Sequence, residues 1–452
     1  MKGTDASEAH LFAATPPLDA LKVLVSLAAS NKNWTLDFLD IRKAHLNGVS
    51  KRRVVIRLPK EAGGGYATLD RTLYGTRDAA ASWEECVASV MERVNYWQGV
   101  SCPCLYYNQE LEVRVVVHGD DFIVLGEFRH CQALRKALQK EWDVKVRGAL
   151  GQEVDSITIL GRVITKHDWG YGLEADQKHS EILIQSSGLG SNAKGVSTPG
   201  DKTAMKDDDE AALTAAEVTA YRSQSMRASY LSLDRPDLMY AVKEASRRMS
   251  NPNAGDFQKV RRIARYLLKK PRLVQRFEWQ AMVSVLNMEC DSDHAGCART
   301  RKSTSGYIGM IGKHTVMFRA VTQSVIALST AEAEFYALCS AMSAALGLLS
   351  LLADFGLEFK INIGMDASAA IAMASRKGLG RTKHLQCQYL WVQKLVSSRE
   401  VAIKKIHTDD NRSDLLTKHL QAPRILKLLE MLGFVFEEEG KETKSKKGKK
   451  LR

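Results

Sequence analysis

The sequence predicts several domains that combine helices with sheets, in the α/β and α+β classes. Three observations support this class. The chain has 452 residues, enough for two to four separate cores. Strand-like runs such as WTLDFLDI (34–41) alternate with helix-like runs such as DAAASWEECVASVMERV (78–94). Hydrophobic residues make up 45% of the chain and charged residues 26%, which is typical of folded globular proteins.

Charge and cysteine usage restrict the partners and the compartment. The net charge of +13 favours polyanions, either nucleic acid or an anionic membrane surface. The eight cysteines form no C-x-x-C pair and no zinc spacing, so we expect free thiols. The opening MKGTDASEAHLFAATPP is unlike a secretory signal, and no run approaches the roughly 18 apolar residues of a membrane span. We therefore expect a cytoplasmic or nuclear protein without a membrane partner.

The first 150 residues predict one domain with a helix at 18–30 and several strands. In WTLDFLDI the apolar side chains alternate, so Asp40 comes at the end of an apolar face. The run LEVRVVVHGDDFIVLGE predicts a hairpin, in which Gly119 gives the turn its backbone freedom. Asp120 and Asp121 follow directly at the turn.

The rest of the chain predicts two further domains and a tail. Residues 151–280 contain a strand-rich piece, a polar linker near 197–215 and two helical runs on either side of NPNAG. Residues 281–435 predict a mixed sheet covered by helices, with a long helix at 329–354. Residues 436–452 are rich in lysine and predict a disordered end.

The paired acids of the hairpin need a physical explanation. Two carboxylates about 4 Å apart repel by a few kcal/mol, so they must spread into water, protonate or share a divalent cation. Taken alone, Gly119-Asp120 is common turn chemistry, and a solvated hairpin tip is the simplest interpretation. With Asp40 on a neighbouring strand, the same acids could hold two Mg²⁺ ions for phosphoryl transfer.

Four acids in the last predicted domain form a second candidate set. Asp291 ends an alternating strand face, and Glu334 lies on a helix face close to the sheet, where an unpaired carboxylate is costly. Asp366 follows a strand and could equally be a helix N-cap. Asp414 could equally be an ordinary acid in the first turn of a helix.

The order of the motifs resembles the reverse transcriptase and RNase H regions of Copia-type long-terminal-repeat retrotransposons. The first part rests on LDFLDIRKAHLNG, LDRTLYGTRDAAASW, CLYY, VVVHGDDFIVLG, ILGRVI, STPG, YRSQSMRASYLSLDRPDLMYAV and RRIARYL. The second part rests on CDSDHAG, STSGY, STAEAEF, MDASAA, RTKH and NRSDLLTK. The resemblance covers residues 12 to about 435. It implies a palm-like domain at 1–150, a thumb or connection region at 151–280 and an RNase H-like domain at 281–435.

The resemblance also implies functions for the acids. Each set would hold two Mg²⁺ ions, with Mn²⁺ as an alternative, and the partner would be an RNA/DNA hybrid or an RNA template with a DNA primer. Other segments of a Pol polyprotein are candidate partners. Matched by position, the polymerase acids are Asp40, Asp120 and Asp121, and the RNase H acids are Asp291, Glu334, Asp366 and Asp414.

Basic residues near these motifs are candidate nucleic-acid contacts. They are Arg52 and Arg53 beside Lys51, Arg262 and Arg265 beside Arg261, and His384 in RTKH. A groove that follows the nucleic-acid backbone would bind less tightly as salt rises. Each group is, taken alone, more often a solvated surface, and His384 could equally be a histidine at a helix end.

Several positions depart from the family pattern. His118-Gly119 replaces Tyr-Val before the paired acids, and His45, His294 and Gln386 replace other family residues. The fingers segment is expected to precede residue 1, so RNase H activity is expected to survive better than polymerisation. The alternative is a decayed or co-opted remnant that binds hybrid without catalysis.

Overall fold

The computed structural model of the protein describes residues 12–190, 192–201, 211–378, 380 and 390–437. The predicted fold class is confirmed, because these residues form three large sheets, each packed against helices, and one small two-stranded sheet. A single buried cluster runs from the first sheet through the second into the third. His384 and residues 438–452 of the lysine-rich tail lie outside the described residues, whereas Phe436, the first residue of the predicted tail, ends a strand.

The N-terminal sheet has six strands in the order β4-β5-β6-β7-β1-β8. Its strand β1 is buried on both faces, because Leu36 and Phe38 pack towards the first helix while Leu39 and Ile41 pack towards the next two helices. The elements in chain order are α1 (Leu18–Ala28), β1 (Trp34–Ile41), β2 (Val55–Arg57), β3 (Tyr66–Thr68), α2 (Ala79–Arg93), β4 (Trp97–Gln98), β5 (Leu105–Asn108), β6 (Val113–His118), β7 (Asp121–Glu127), α3 (Phe128–Glu141) and β8 (Val144–Ala149).

The middle part of the chain forms an antiparallel sheet beside a group of four packed helices. The predicted polar linker is not loose at its start, because Thr198, Pro199 and Gly200 are buried. Residues 202–210 of that linker lie outside the described residues. The elements are β9 (Ser156–Ile159), β10 (Arg162–His167), β11 (Gly170–Ala175), α4 (Gln177–Ser186), α5 (Ala215–Ser232), α6 (Pro236–Ala245), α7 (Ala254–Lys269) and β12 (Leu273–Glu278).

The C-terminal sheet has the order β15-β14-β13-β16-β17, with antiparallel pairs on one side of β13 and parallel pairs on the other. The last strand of the described residues, β18, pairs instead with β12 and so belongs to the middle sheet. The elements are β13 (Val285–Asp293), β14 (Thr304–Ile311), β15 (His314–Thr322), α8 (Thr330–Asp354), β16 (Lys360–Met365), α9 (Ser368–Ser375), α10 (Trp391–Ser397), β17 (Val401–Lys405), α11 (Ala422–Met431) and β18 (Phe434–Phe436).

Helix α1 joins the sheets. Every residue from Asp19 to Ala28 is buried, including three polar ones. The Asp19 carboxylate accepts two hydrogen bonds from Arg319 in β15, and the Lys22 ammonium donates to the Leu233 carbonyl at 2.8 Å. A helix that is buried all round must have protein on every side. Helix α1 is therefore an internal part of the fold.

Helix α8 corrects one expectation from the sequence. By length and composition alone it could cross a membrane, so the expectation that no run approaches that size was wrong. In its most apolar stretch, 61% is buried inside the protein, which is what the core helix of a folded domain shows. Its second turn carries Glu334, an ionisable side chain that belongs to the acid site described next.

Candidate metal and nucleic-acid sites

The hairpin acids meet Asp40 at one edge of the N-terminal sheet. Strand β1 pairs with β7 so that Asp40 lies directly opposite Asp121. Gly119 has a φ of 64° in the turn, and its carbonyl accepts a hydrogen bond from the indole N–H of Trp83 at 2.8 Å. Asp120 is exposed at the tip, whereas Asp40 and Asp121 are half-buried. The structure thus brings Asp40 and Asp121 together and leaves Asp120 facing solvent.

Two cations of β8 accompany these acids. Lys145 lies opposite Asp40 in the register of β1 and β8, and the Arg147 guanidinium lies 3.3 Å from the Asp121 carboxylate. Burial raises the pKa of Asp121, and the charges of Asp120 and Asp40 add to this, while Arg147 opposes it. Neither cation was predicted from the sequence. Their spacing of two in VKVRGA, which places them on one face of a strand, is the signal that could have found them.

Three of the four predicted C-terminal acids converge. One ligand oxygen from each of Asp291, Glu334 and Asp366 lies within 4.8 Å of the other two. Strands β13 and β16 are parallel neighbours, so Asp291 near the end of one and Asp366 just after the other meet at one sheet edge. The second turn of α8 supplies Glu334. In the described part of the chain, no other three His, Cys, Asp or Glu residues approach this closely.

Two acids of this group, Asp291 and Glu334, are buried, and the Glu334 carboxylate has no positively charged partner among the described residues. Asp291 is 2% exposed and Glu334 is 5% exposed. The Glu334 Oε1 atom accepts the Ser292 N–H at 3.3 Å, whereas its Oε2 atom is buried without a hydrogen-bond partner. Burial first and the Asp291 charge second raise the pKa of Glu334 to about 8, and burial raises that of Asp291 to about 6. Hard oxygen ligands with an unmatched buried carboxylate fit a divalent cation such as Mg²⁺.

The alternative N-cap interpretation of Asp366 does not match the structure. Helix α9 begins at Ser368, and its N-cap is Ala367 without a side-chain cap. Asp366 is half-buried and points its carboxylate into the acid group.

Asp414 lies close to this group, but its carboxylate is paired with two positively charged side chains. It lies on a 3-10 helix, Arg412–Leu416, and is buried. Its Oδ1 atom lies 2.5 Å from the Lys418 ammonium and its Oδ2 atom 3.0 Å from the Arg424 guanidinium. The structure therefore does not place Asp414 among the three converging ligands. Lys418 was not predicted from the sequence, although its spacing of four from Asp414 is a common ion-pair signal.

A cleft of about 530 Å³ opens beside the acid group, between helices α6 and α7 and the C-terminal sheet. Ser292, which follows Asp291, lines it together with Thr417 and Lys418. Five lining residues are Lys or Arg and three are Asp or Glu. This excess of positive charge suits a phosphodiester backbone. The five are Arg247, Arg248, Lys259, Arg299 and Lys418.

The predicted basic contacts mostly have protein partners. The Arg52 guanidinium lies 3.0 Å from the buried Asp78 carboxylate, and Arg53 is exposed. Arg262 donates to the Thr198 hydroxyl at 3.0 Å, and Arg265 donates to a backbone carbonyl. These contacts account for three of the arginines through folding, and their role towards nucleic acid stays a prediction.

The mixed C-terminal sheet with its three-carboxylate group, together with the hairpin of paired acids on the N-terminal sheet, matches the reverse transcriptase and RNase H-like fold class. A family model described as reverse transcriptase (RNA-dependent DNA polymerase) matches residues 4–199. A solved structure of the foamy viral protease-reverse transcriptase in complex with RNA/DNA hybrid covers 87% of the chain, and the chain covers 46% of that structure. The TM-score is 0.53 at 13% identity, which shows a shared fold.

Relatives in sequence identify the family to which the chain belongs. The chain is 27% identical over 435 residues to the retrovirus-related Pol polyprotein from transposon TNT 1-94 of Nicotiana tabacum, covering 92% of this chain and 32% of that protein. It is 24% identical to the polyprotein from transposon RE2 of Arabidopsis thaliana, covering 91% of this chain and 28% of that protein. It is 31% identical to an uncharacterised mitochondrial protein of Arabidopsis thaliana, covering 40% of this chain and 73% of that protein. The chain belongs to the Copia-type retrotransposon Pol family and spans about a third of the length of the Pol polyproteins it matches.

Proposed function

We propose that this chain is a retrotransposon reverse transcriptase and RNase H segment that cuts the RNA strand of an RNA/DNA hybrid. The observation that carries the proposal is the convergence of Asp291, Glu334 and Asp366 within 4.8 Å, with a buried Glu334 oxygen that has no partner. Buried carboxylates of like charge gather only where one of them takes up a proton or where a cation compensates them, and the partnerless Glu334 oxygen leaves a place for such a cation. Family membership supplies the substrate class.

The acids are held by neighbouring groups before any ion binds. The Thr417 hydroxyl donates to the Asp291 carboxylate, and the Ser292 N–H donates to Glu334. These contacts fix the two carboxylates so that less rearrangement is needed on binding. A bound Mg²⁺ or Mn²⁺ ion would supply an activated water and neutralise charge on the departing oxygen. The basic cleft beside Ser292 would bind the phosphodiester backbone and present one bond to the acids.

The test is cleavage of a labelled RNA/DNA hybrid by the pure protein with Mg²⁺ or Mn²⁺. We expect Asp291→Asn and Glu334→Gln to abolish cleavage. The matched control is Glu430→Gln, the same carboxylate-to-amide change at an exposed position of α11, which should cut like the wild type. An intact hybrid after incubation with the wild type would contradict the proposal. If the same protein still bound the hybrid in a salt-dependent manner, the non-catalytic binding function would stand instead.

A second candidate function is RNA-directed DNA polymerisation at the N-terminal sheet. It is favoured by the register that places Asp40 opposite Asp121. We expect it to be weaker than cleavage, because in the described part of the chain only the C-terminal acids converge within 4.8 Å. Primer extension on an RNA template, with Asp121→Asn as the negative control, measures it. Primer extension as fast as hybrid cleavage, or faster, would contradict the expectation that polymerisation is the weaker activity.

A further inference from the structure

We propose that the ammonium of Lys418 occupies the second half of the C-terminal acid site, between Asp291 and Asp414. The site would then bind one divalent ion tightly at Asp291, Glu334 and Asp366, and a second ion only when Lys418 leaves. This inference rests on the proposed function, since it concerns how the same acids take up metal. It assigns Lys418 as a positioning residue.

The geometry around Lys418 carries the proposal. Its Nζ atom lies 2.5 Å from Asp414 Oδ1 and 3.3 Å from Asp291 Oδ2. A divalent ion shared by these two carboxylates would have to lie in the same space, because Mg²⁺ binds oxygen at about 2.1 Å. The lysine and such an ion therefore exclude each other.

The charges on the two sides of Asp291 are unequal. On one side Glu334 Oε2 is buried without a partner, and the Asp366 carboxylate is nearby. On the other side Asp414 is paired with both Lys418 and Arg424. A divalent ion on that side would be repelled by two positive groups a few ångströms away. The first ion is thus favoured beside Glu334 and the second is disfavoured beside Asp414.

Lys418 also has room to leave. Its side chain is 37% exposed, and it lines the basic cleft next to Thr417. A lysine ammonium is a point charge on a flexible four-carbon stem, so it can move between acceptors. A phosphate in the cleft would offer the displaced ammonium a new partner.

The first test is Mn²⁺ binding followed by electron paramagnetic resonance of the free ion. The protein carries Asp40→Asn and Asp121→Asn, so that the N-terminal acids do not contribute. We expect one tight ion and a second that binds at least about tenfold more weakly. Lys418→Gln should tighten the second ion about tenfold, while Lys418→Arg, which keeps the charge, should not. The matched control is Lys427→Gln, which removes an exposed charge from α11 and should change neither ion.

A second measurement uses the unaltered chain and does not depend on the folding of a variant. Amine acetylation read by mass spectrometry should modify Lys418 slowly without metal and several-fold faster at Mn²⁺ concentrations that fill the second half-site. Lys427 serves as the internal reference and should react at the same rate throughout.

The outcomes separate the inference from the proposed function. If the doubly substituted protein bound no Mn²⁺, or if Glu334→Gln left its tight ion intact, the proposed metal site itself would fail. If it bound two ions equally tightly, or if Lys418→Gln changed binding no more than Lys427→Gln, only the role of Lys418 would be overturned. Acetylation of Lys418 that did not respond to Mn²⁺ would have the same consequence.

Discussion

Replacing Glu334 by Gln should stabilise the metal-free protein at high pH and leave it nearly unchanged at low pH. Glu334 is 5% exposed, lies beside Asp291, and has one carboxylate oxygen without a partner. Burial and the neighbouring negative charge raise its pKa from 4.5 to about 8. The ionised form of Glu334 is therefore energetically unfavourable in the folded protein. Glutamine has the same shape and carries no charge, so it removes this cost.

The sign and size follow from proton linkage. Between about pH 4.5 and 8 the folded state holds a proton on Glu334 that the unfolded state has lost, so wild-type stability falls as pH rises through this window. Each pKa unit corresponds to 1.36 kcal/mol, so the change from 4.5 to about 8 amounts to about 5 kcal/mol above pH 8. Glutamine does not titrate, so Glu334→Gln should gain several kcal/mol over the wild type at pH 9 and almost none at pH 5.

The assay is denaturant unfolding of both proteins in a chelator, at pH 5 and pH 9, followed by the fluorescence of the seven tryptophans. Saturating Mg²⁺ should then stabilise the wild type at pH 9 and the variant much less, because the ion takes over the neutralisation of charge. Equal stability differences at the two pH values would refute the reasoning. So would a variant that is destabilised at pH 9 as much as at pH 5.

Two further predictions concern the fold. Lys22 is fully buried, and its ammonium lies 3.5 Å from the Asp234 carboxylate. Lys22→Met should lower the free energy of unfolding, measured with denaturant, by about 3 kcal/mol. This is at the low end of the cost of breaking a buried ion pair, because Asp234 keeps a second cation. Gly170 has a φ of 143° and an added Cβ would lie 2.0 Å from the Phe277 carbonyl oxygen, whereas Gly119 has a φ of 64° and open space around it. Gly170→Ala should therefore cost about 3 kcal/mol or more, and Gly119→Ala only about 1 kcal/mol, in the same measurement.

Strand patterns placed several of these acids at the ends of neighbouring strands, whereas the family resemblance was needed to group the C-terminal acids as one site. Asp40 ends an alternating strand and Asp121 begins the second strand of a hairpin, so adjacent strands in one sheet were sufficient to bring them together. Asp291 and Asp366 likewise end strands of one sheet, and their parallel pairing places both at the same edge. The alternation of apolar residues shows which face of the sheet an acid lies on, and the length of the run shows that the acid lies at the end of the strand.

The same patterns could not predict the partners of those acids. Asp414 has the expected position in its motif, yet it pairs with Lys418 and Arg424, and Arg147 pairs with Asp121. Ion pairs of this kind depend on side-chain direction and on the approach of elements distant in sequence. Helix α1 shows the same limit, because a helical pattern indicates an apolar face but not that protein surrounds the helix on all sides.

Helix α8 connects the two halves of the molecule at its two ends. Its second turn places Glu334 in the acid group, and its last residue, Asp354, accepts hydrogen bonds from the N–H groups of Val100, Ser101 and Cys102 beside strand β5. Through these contacts the helix of 25 residues, about 37 Å long, ties the C-terminal acids to the N-terminal sheet. Helix α1, which is buried between the same sheets, adds a second connection between them. Under the proposed function, a nucleic acid that reached both acid sites would therefore meet them at a spacing fixed by the packing of these two helices.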